Sequence, residues 1–354
     1  MGCIAEDRSA CPHPRGVSVR LTVCPDPMTA VTRTTDEEAL RDLNLYLYDD
    51  DGEIVLHRYQ SSSTLRFTSL PGNYRMRIAA NMGRDLGENP ASEDFTVTHA
   101  DEYDTLPMAY EGEVSIPSSD ETVTLPTVEV QRVVAKITYN ISVAPDAGDI
   151  RLHSVQPVNL PARMPVFDPG LRAAEYTAGE IVGSSSQTLT GTFYMLPNLQ
   201  GEVPSIADQR DKGPANAPAD ATFLRIRALR GSKVLDYYIY PGGNNTSNFD
   251  IRANTHYRLD IMIRGDAEVD TRIRAYTVEV LCTPEAALSN GFLLERQPMR
   301  LTLRLGGAYE ETGVEAFVEL KTGDVRYFGF EGQWGAVART MEIRGPENDY
   351  DIRY

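Results

Sequence analysis

The chain has 354 residues, enough for two or three domains with cores of their own and no need of metals or disulfide staples. Its formal charge of −17, from 51 acidic and 34 basic residues without a dense basic tract, excludes nucleic acid as a partner and gives no polybasic hold on an anionic membrane. No run approaches the ~18 apolar residues of a membrane helix, so the folded body is expected to be soluble and any membrane attachment covalent or made through another protein.

Period-two alternation rich in β-branched and aromatic residues recurs along the whole length, broken by Gly, Pro, Asn and Asp, which predicts an all-β chain. Strands are expected at 16–24 (GVSVRLTVC), 43–48 (LNLYLY), 53–59, 64–68 and 74–80. Between the second and third, Asp49-Asp50-Asp51-Gly52 reads as a tight hairpin turn, because Asp-Gly favours positive φ. A calcium loop of EF-hand type fits poorly, since Leu47 and Asp50 stand in the wrong places and no helix flanks the site. Strands follow at 121–130 and 132–143, the latter placing Val133, Ala135, Ile137, Tyr139, Ile141 and Val143 on one face before Pro145 to Gly148 interrupt it.

A boundary near residue 147 is therefore expected, with one β-sandwich over 16–147 and a second over 148–270. The second has candidate strands at 150–155, 187–196, 222–229, 233–240 and 248–264, and a patternless loop at 204–220 that should be exposed. Tyr237, Tyr238 and Tyr240 are read as strand formers before they are read as a stacking platform. From Thr271 the pattern restarts with YTVEVLC, MRLTLRL, VEAFVEL, VRYFGF and a last strand near 336–343, with a short helix or turn at 284–288 and a hairpin turn at Thr322-Gly323-Asp324. Residues 271–354 are either a small third β unit or an extension of the second sandwich.

Catalytic chemistry finds no motif. His13, His57, His99, His153 and His256 are scattered, with no H-E-x-x-H and no cysteine at ligand spacing. Gly183-Ser184-Ser185-Ser186-Gln187 lacks the closing glycine and following helix of a nucleophile elbow. Pro241-Gly242-Gly243-Asn244-Asn245 lacks the lysine and helix of a phosphate loop. The expectation is a non-enzymatic chain without catalytic, cofactor-binding or metal-binding residues. Four cysteines, Cys3, Cys11, Cys24 and Cys282, include no C-x-x-C. Cys11 and Cys24 could bridge in an oxidising compartment; ordinary small thiols are the alternative.

Cys3 stands apart. Gly2-Cys3 resembles the end of a bacterial lipoprotein signal, whose cysteine becomes the lipidated mature N-terminus, although no charged-then-apolar stretch precedes it in these residues. Myristoylation at Gly2 fits less well, because position 6 is Glu where Ser or Thr is wanted.

Several stretches resemble the fimbrillin superfamily of Bacteroidetes pili, in particular its minor-fimbrillin or anchor-subunit family. They are CIAEDRSACP at 3–12, LNLYLYDDDGEIV at 43–55, LPGNYRMRIAANM at 70–82, RVVAKITYNI at 132–141, FYMLPNLQG at 193–201 and YYIYPGGNNTSNFDIRANTHYRLDIMIRG at 237–265. Together they span roughly the first 270 residues. The resemblance implies tandem transthyretin-like, Greek-key β-sandwiches and a type V pilus subunit of the cell surface. Cys3 would carry acyl chains, palmitate among them, that fix the pilus base to the outer membrane, with 1–15 as the tether. The partner implied is the major stalk fimbrillin, contacted by β-strand donation, with 16–24 kept as an intact first strand and 336–343 or the tail 345–354 as the contact. A fimbrial tip adhesin or stalk pilin binding surface ligands is the competing reading.

Overall fold

The structure is a computed structural model and describes residues 15–26, 35–168, 170–184, 186–231, 233–265 and 272–284, with the strand residues 298–307, 314–319, 329–330, 333–334, 338–343 and 347–353. Nine strands come first: β1 (Val17–Pro25), β2 (Leu43–Tyr48), β3 (Ile54–Gln60), β4 (Thr64–Ser69), β5 (Gly72–Ala80), β6 (Thr96–Thr98), β7 (Met108–Ile116), β8 (Val123–Thr124) and β9 (Val128–Arg132). All but β6 lie on one hydrogen-bonded path, β3-β2-β5-β7-β9-β1-β4, with β8 beside β1. β7 and β9 share only the pairs Met108↔Arg132 and Ala109↔Gln131, so the path turns a corner there and its two wings close on one core. Inside it Val17, Val19, Leu21 and Val23 of β1 meet Leu43, Leu45 and Leu47 of β2 and Met76 and Ile78 of β5, as period-two alternation requires when one face of each strand is buried.

The hairpin expected at residues 49–52 joins β2 to β3. Asp49 Oδ1 accepts from Asp51 N at 3.1 Å and from Glu53 N at 2.9 Å, while Gly52 takes φ +82°, which a side chain would resist. All six residues of β2 are buried because the chain after β5 folds over its outer face. Asn44 Nδ2 donates to Arg84 O (3.0 Å), Leu86 N donates to Asn44 Oδ1 (2.9 Å), and Tyr46 Oη donates to Gly87 O (2.8 Å).

Two histidines are trapped by that cover and its neighbourhood. His57 stacks on Tyr46 at 4.6 Å between centroids, with Nε2 3.4 Å from Asp85 Oδ1. His99 is buried beside Asp101, and among the described residues neither of its ring nitrogens has a hydrogen-bond partner. Burial pulls both rings below their ordinary pKa of 6.5, against the pull of Asp85 on His57 and of Asp101 on His99. As pH falls through 6.5 the unfolded chain takes up these protons before the folded one, so stability is intact above that pH and is lost below it. The melting temperature should therefore fall on acidification through this range, and fall less in His99→Leu. An identical pH profile for the variant would show that the ring is not responsible.

The second half contains β10 (Ala135–Val143), β11 (Arg151–Val158), β12 (Leu160–Pro161), β13 (Arg163–Pro165), β14 (Tyr176–Thr177), β15 (Val182–Gly183), β16 (Thr188–Met195), β17 (Phe223–Arg230), β18 (Lys233–Ile239) and β19 (His256–Ile263). The strand expected to close the first sandwich before residue 147 pairs beyond it instead: β10 runs antiparallel to β16 and parallel to β19. Its inward row, Tyr139 and Ile141, packs with Leu152, Val155, Leu224, Ile226 and Leu235 from the facing sheet. Partners distant in sequence thus decide its allegiance, and the turn at 145–148 is internal to the second unit. β13 also pairs with β6, stitching the two halves together.

The remaining strands are β20 (Ile273–Pro284), β21 (Pro298–Gly307), β22 (Val314–Glu319), β23 (Gly329–Phe330), β24 (Gln333–Trp334), β25 (Ala338–Ile343) and β26 (Glu347–Arg353). β20 pairs with β18 and continues the sheet as β15-β11-β17-β18-β20-β21-β26-β23-β24, so of the two alternatives for this segment the chain takes the extension. β22 and β25 form a separate antiparallel pair. Of the turn or helix expected at 284–288, Pro284 ends β20 and the rest lies outside the described residues, as does the turn at 322–324.

Candidate functional site

The first strand is held on both sides. β1 is antiparallel to β4 from Val17↔Ser69 to Thr22↔Thr64, and parallel to β8 and β9 through Val19↔Val123 and Val23↔Val128. Its inward side chains are buried to 2 % exposure or less, while Ser18 and Arg20 face solvent. A segment entering the fold at residue 15 is thereby fastened by an inner strand of the sheet and not by an edge.

Where β1 ends, the two units meet in a buried polar junction. Arg132, at 2 % exposure, donates from Nε to Glu37 O (2.9 Å) and from Nη1 to Asp26 O (2.7 Å) and Asn254 Oδ1 (3.1 Å). Asn254 returns a bond from Nδ2 to Asp26 Oδ2 (3.0 Å) and sits at φ +51°, a left-handed conformation that asparagine tolerates. Beside it Glu37 Oε1 accepts from Lys136 Nζ and from Tyr194 Oη, each at 2.6 Å. Burial and the bond to Glu37 push the Tyr194 phenol well above its ordinary range, so it stays a donor. Burial also lowers the Arg132 guanidinium, with Glu38, Glu37 and Asp26 acting against it. Residues from β9, β10, β16, the end of β1 and the approach to β19 are thus tied at one place. Arg132, Lys136, Tyr194 and Asn254 lie within stretches that resemble fimbrillins, but nothing in those stretches marks them as a cluster; the visible signal is a charged Arg132 inside the apolar run VEVQRVVAKI.

Of the residues singled out by sequence, Cys3 and Cys11 lie outside the described residues, as does the tether through residue 14. Cys24 is half-buried at the end of β1, opposite Glu129. Burial raises its thiol pKa, and Glu129 and Asp26 raise it further, so it is a poor nucleophile. Each of three described histidines has its own neighbour, His256 with Thr138 Oγ1 at 2.9 Å, His57 with Asp85 and His99 with Asp101, and among the described residues no three His, Cys, Asp or Glu side chains gather as a metal site would require. Tyr237 and Tyr238 of β18 and Tyr240 just after it are buried at 5 %, 1 % and 9 % exposure, Tyr237 in the core with Leu235 and Ile226, and Tyr238 and Tyr240 against Phe223 and Phe249. The loop at 204–220 is exposed over much of its length, as expected, yet it is anchored. Ile206 is buried with Tyr238 and Phe249, and Lys212 Nζ donates to the carbonyls of Asn244 (2.8 Å) and Asn248 (2.7 Å). Those bonds pin the Pro241–Asn245 turn, where a Cβ on Gly242 would lie 2.0 Å from Asn248 O. Burial brings the Lys212 ammonium down to about 8.

Two grooves remain. One, of about 790 Å³, runs along β19 and is walled by Tyr237 and Ile239 of β18. The other, of about 620 Å³, opens where β7 and β9 diverge, and carries Glu111, Glu113 and Glu129 with Arg132.

Comparison with known proteins places these features. A family model described as a domain of unknown function, DUF4906, matches residues 193–261, from β16 to β19. No curated protein matches. Among solved structures, a proposed cell adhesion protein of Bacteroides eggerthii is 13% identical, with a TM-score of 0.52, over 82% of this chain and 96% of that one. The tip fimbrial protein Mfa3 of Porphyromonas gingivalis, truncated at its C-terminus, is 17% identical with a TM-score of 0.47, over 82% of this chain and 100% of that one. A fimbrial assembly protein of Parabacteroides distasonis is 14% identical with a TM-score of 0.42, over 74% and 95%. The chain shares the fold of the Bacteroides eggerthii protein.

Proposed function

We propose that this chain is a non-catalytic accessory subunit of a fimbria, of the fimbrillin superfamily, and that it anchors the pilus base to the outer membrane through lipid on Cys3. The observation that carries the reading is the setting of β1. An anchor must transmit load from a tether at its N-terminus into its fold, and a strand paired on both sides with four buried apolar side chains does so. Shared fold with a proposed adhesion protein and the stretches that resemble fimbrillins support a place on a surface appendage. An acidic body gains nothing from anionic lipid, and one acyl chain holds only marginally, so the several chains of a lipoprotein would be required. The stalk fimbrillin is the partner in this reading, contacted through the C-terminal strands.

Mass analysis of the native N-terminus, with pilus shedding in a Cys3→Ala strain, tests it. The expected results are an acylated cysteine and release of pili into the medium by the variant. An unmodified native N-terminus, or pili retained by the variant, would leave the tip-adhesin reading in its place.

A further inference from the structure

β19 is an edge. Among the described residues β10 is its only strand partner, in the order β16-β10-β19. The carbonyls of Thr255 and Ile263 accept from Lys136 N (3.0 Å) and Ala144 N (2.8 Å), so the odd-numbered residues direct their backbone polar groups toward β10. Alternation then turns the N–H and C=O groups of Arg258, Asp260 and Met262 to the open side. An exposed row of this kind is a template for another strand.

The groove beside that edge has the features an added strand would use. Tyr257, Leu259 and Ile261 are half-buried at its floor, at a spacing that receives every second side chain of an extended segment. Its exposed cations Arg258 and Arg264 stand against one carboxylate of the same strand, Asp260, whereas Arg210 is paired with Asp208 at 2.7 Å and Lys212 is buried against backbone carbonyls. On a chain of charge −17 that is a local reversal of sign. The groove between β7 and β9 has the opposite character, with three glutamates. Two β19 edges brought together would juxtapose the same arginine-rich rims, which disfavours self-pairing.

We propose that the open edge of β19 accepts, as an added strand, an extended segment of a partner protein in which apolar residues alternate with acidic ones. The main-chain bonds supply affinity, the Tyr257, Leu259 and Ile261 row supplies register, and the arginine rim selects an acidic strand over a basic one. This rests on the groove and its charge, separately from Cys3 and the membrane.

The test uses the full chain and a fluorescein-labelled nonapeptide alternating Glu with Val or Ile, carrying a central photocross-linker. Controls are a peptide of the same composition with its acidic and apolar residues in separate blocks, and one with Lys in place of Glu. Saturable binding by the alternating peptide, cross-linked within residues 257–263 and weakened on the order of tenfold or more in both controls, is expected. Arg258→Glu with Arg264→Glu, at exposed positions, should weaken it similarly. Met262→Pro removes one open-side N–H and leaves the bonds to β10 in place, so it should weaken binding without altering the melting temperature much. No saturable binding, binding indifferent to these variants, or cross-links confined to another edge or to the β7–β9 groove would overturn the proposal. Acylation of Cys3 is read in a separate assay, so either result can fail alone.

Discussion

Deleting residues 16–25 is expected to abolish cooperative unfolding of the first sandwich. β1 contributes Val17, Val19, Leu21 and Val23 to the core, each buried to 2 % exposure or less. At ~1.5–3 kcal/mol per side chain their burial is worth roughly 6–12 kcal/mol, comparable with the whole stability of a domain at ~5–15 kcal/mol. The deletion also leaves β4 and β9 with open edges on either side of a strand-shaped slot. Near-ultraviolet circular dichroism and limited proteolysis of the deleted chain should therefore report an unfolded first unit. A synthetic peptide of residues 15–26 added in trans should restore the signal, because the slot still specifies register through the β4 and β9 ladders. Arg20→Ala, on the exposed side of the same strand, should stay within ~0.5 kcal/mol of the parent. Unchanged folding of the deleted chain would show that β1 is dispensable and would remove the load path on which the anchor reading depends.

How much of this was legible beforehand follows from where each strand's information lies. β2 carries its own, since LNLYLY ends in an Asp-rich turn with Gly52 in place; the expected and observed bounds coincide at Leu43–Tyr48. β1, β4, β17 and β18 were within a residue or two for the same reason. β7 (MAYEGEVSI) is hard to read from sequence, because Gly112 leaves a gap in the apolar row Met108, Tyr110, Val114 and Ile116. It is a strand because β5 pairs with it from Gly72↔Ile116 to Ala80↔Met108. β10 is legible as a strand, but its allegiance is not, since pairing with β16 and β19 is a property of residues 46 to 120 positions away. The β19 edge was equally invisible: alternation marks a strand, but a missing neighbour leaves no trace in its own residues. The proposed acylation of Cys3 is the reverse case, a chemical inference from the residue and its context that no packing argument could supply.

The junction at Arg132 yields the other large effect. Arg132→Ala should cost about 3–5 kcal/mol, the range for removing one member of a buried charged network. Three acceptors lose their donor together: Glu37 O, Asp26 O and Asn254 Oδ1. A lysine at the position reaches from one nitrogen instead of a planar fork, so Arg132→Lys should recover only part of the loss. The acceptors belong to the segment after β1, the stretch before β2 and the approach to β19, so the damage is not confined to one sheet. Heating should separate a single transition into two, with the first lowered by on the order of 10 °C. Glu37→Gln should act in the same direction through Lys136, whose ammonium would keep only a neutral acceptor at 2.6 Å in a buried site. The two losses should fall short of additivity in the double variant, because Glu37 accepts from Arg132 at its carbonyl and from Lys136 at its carboxylate. Fully additive losses with one intact transition would mean that Arg132 and Glu37 act on separate sheets, and that the sandwiches are coupled chiefly by the β6–β13 pairing.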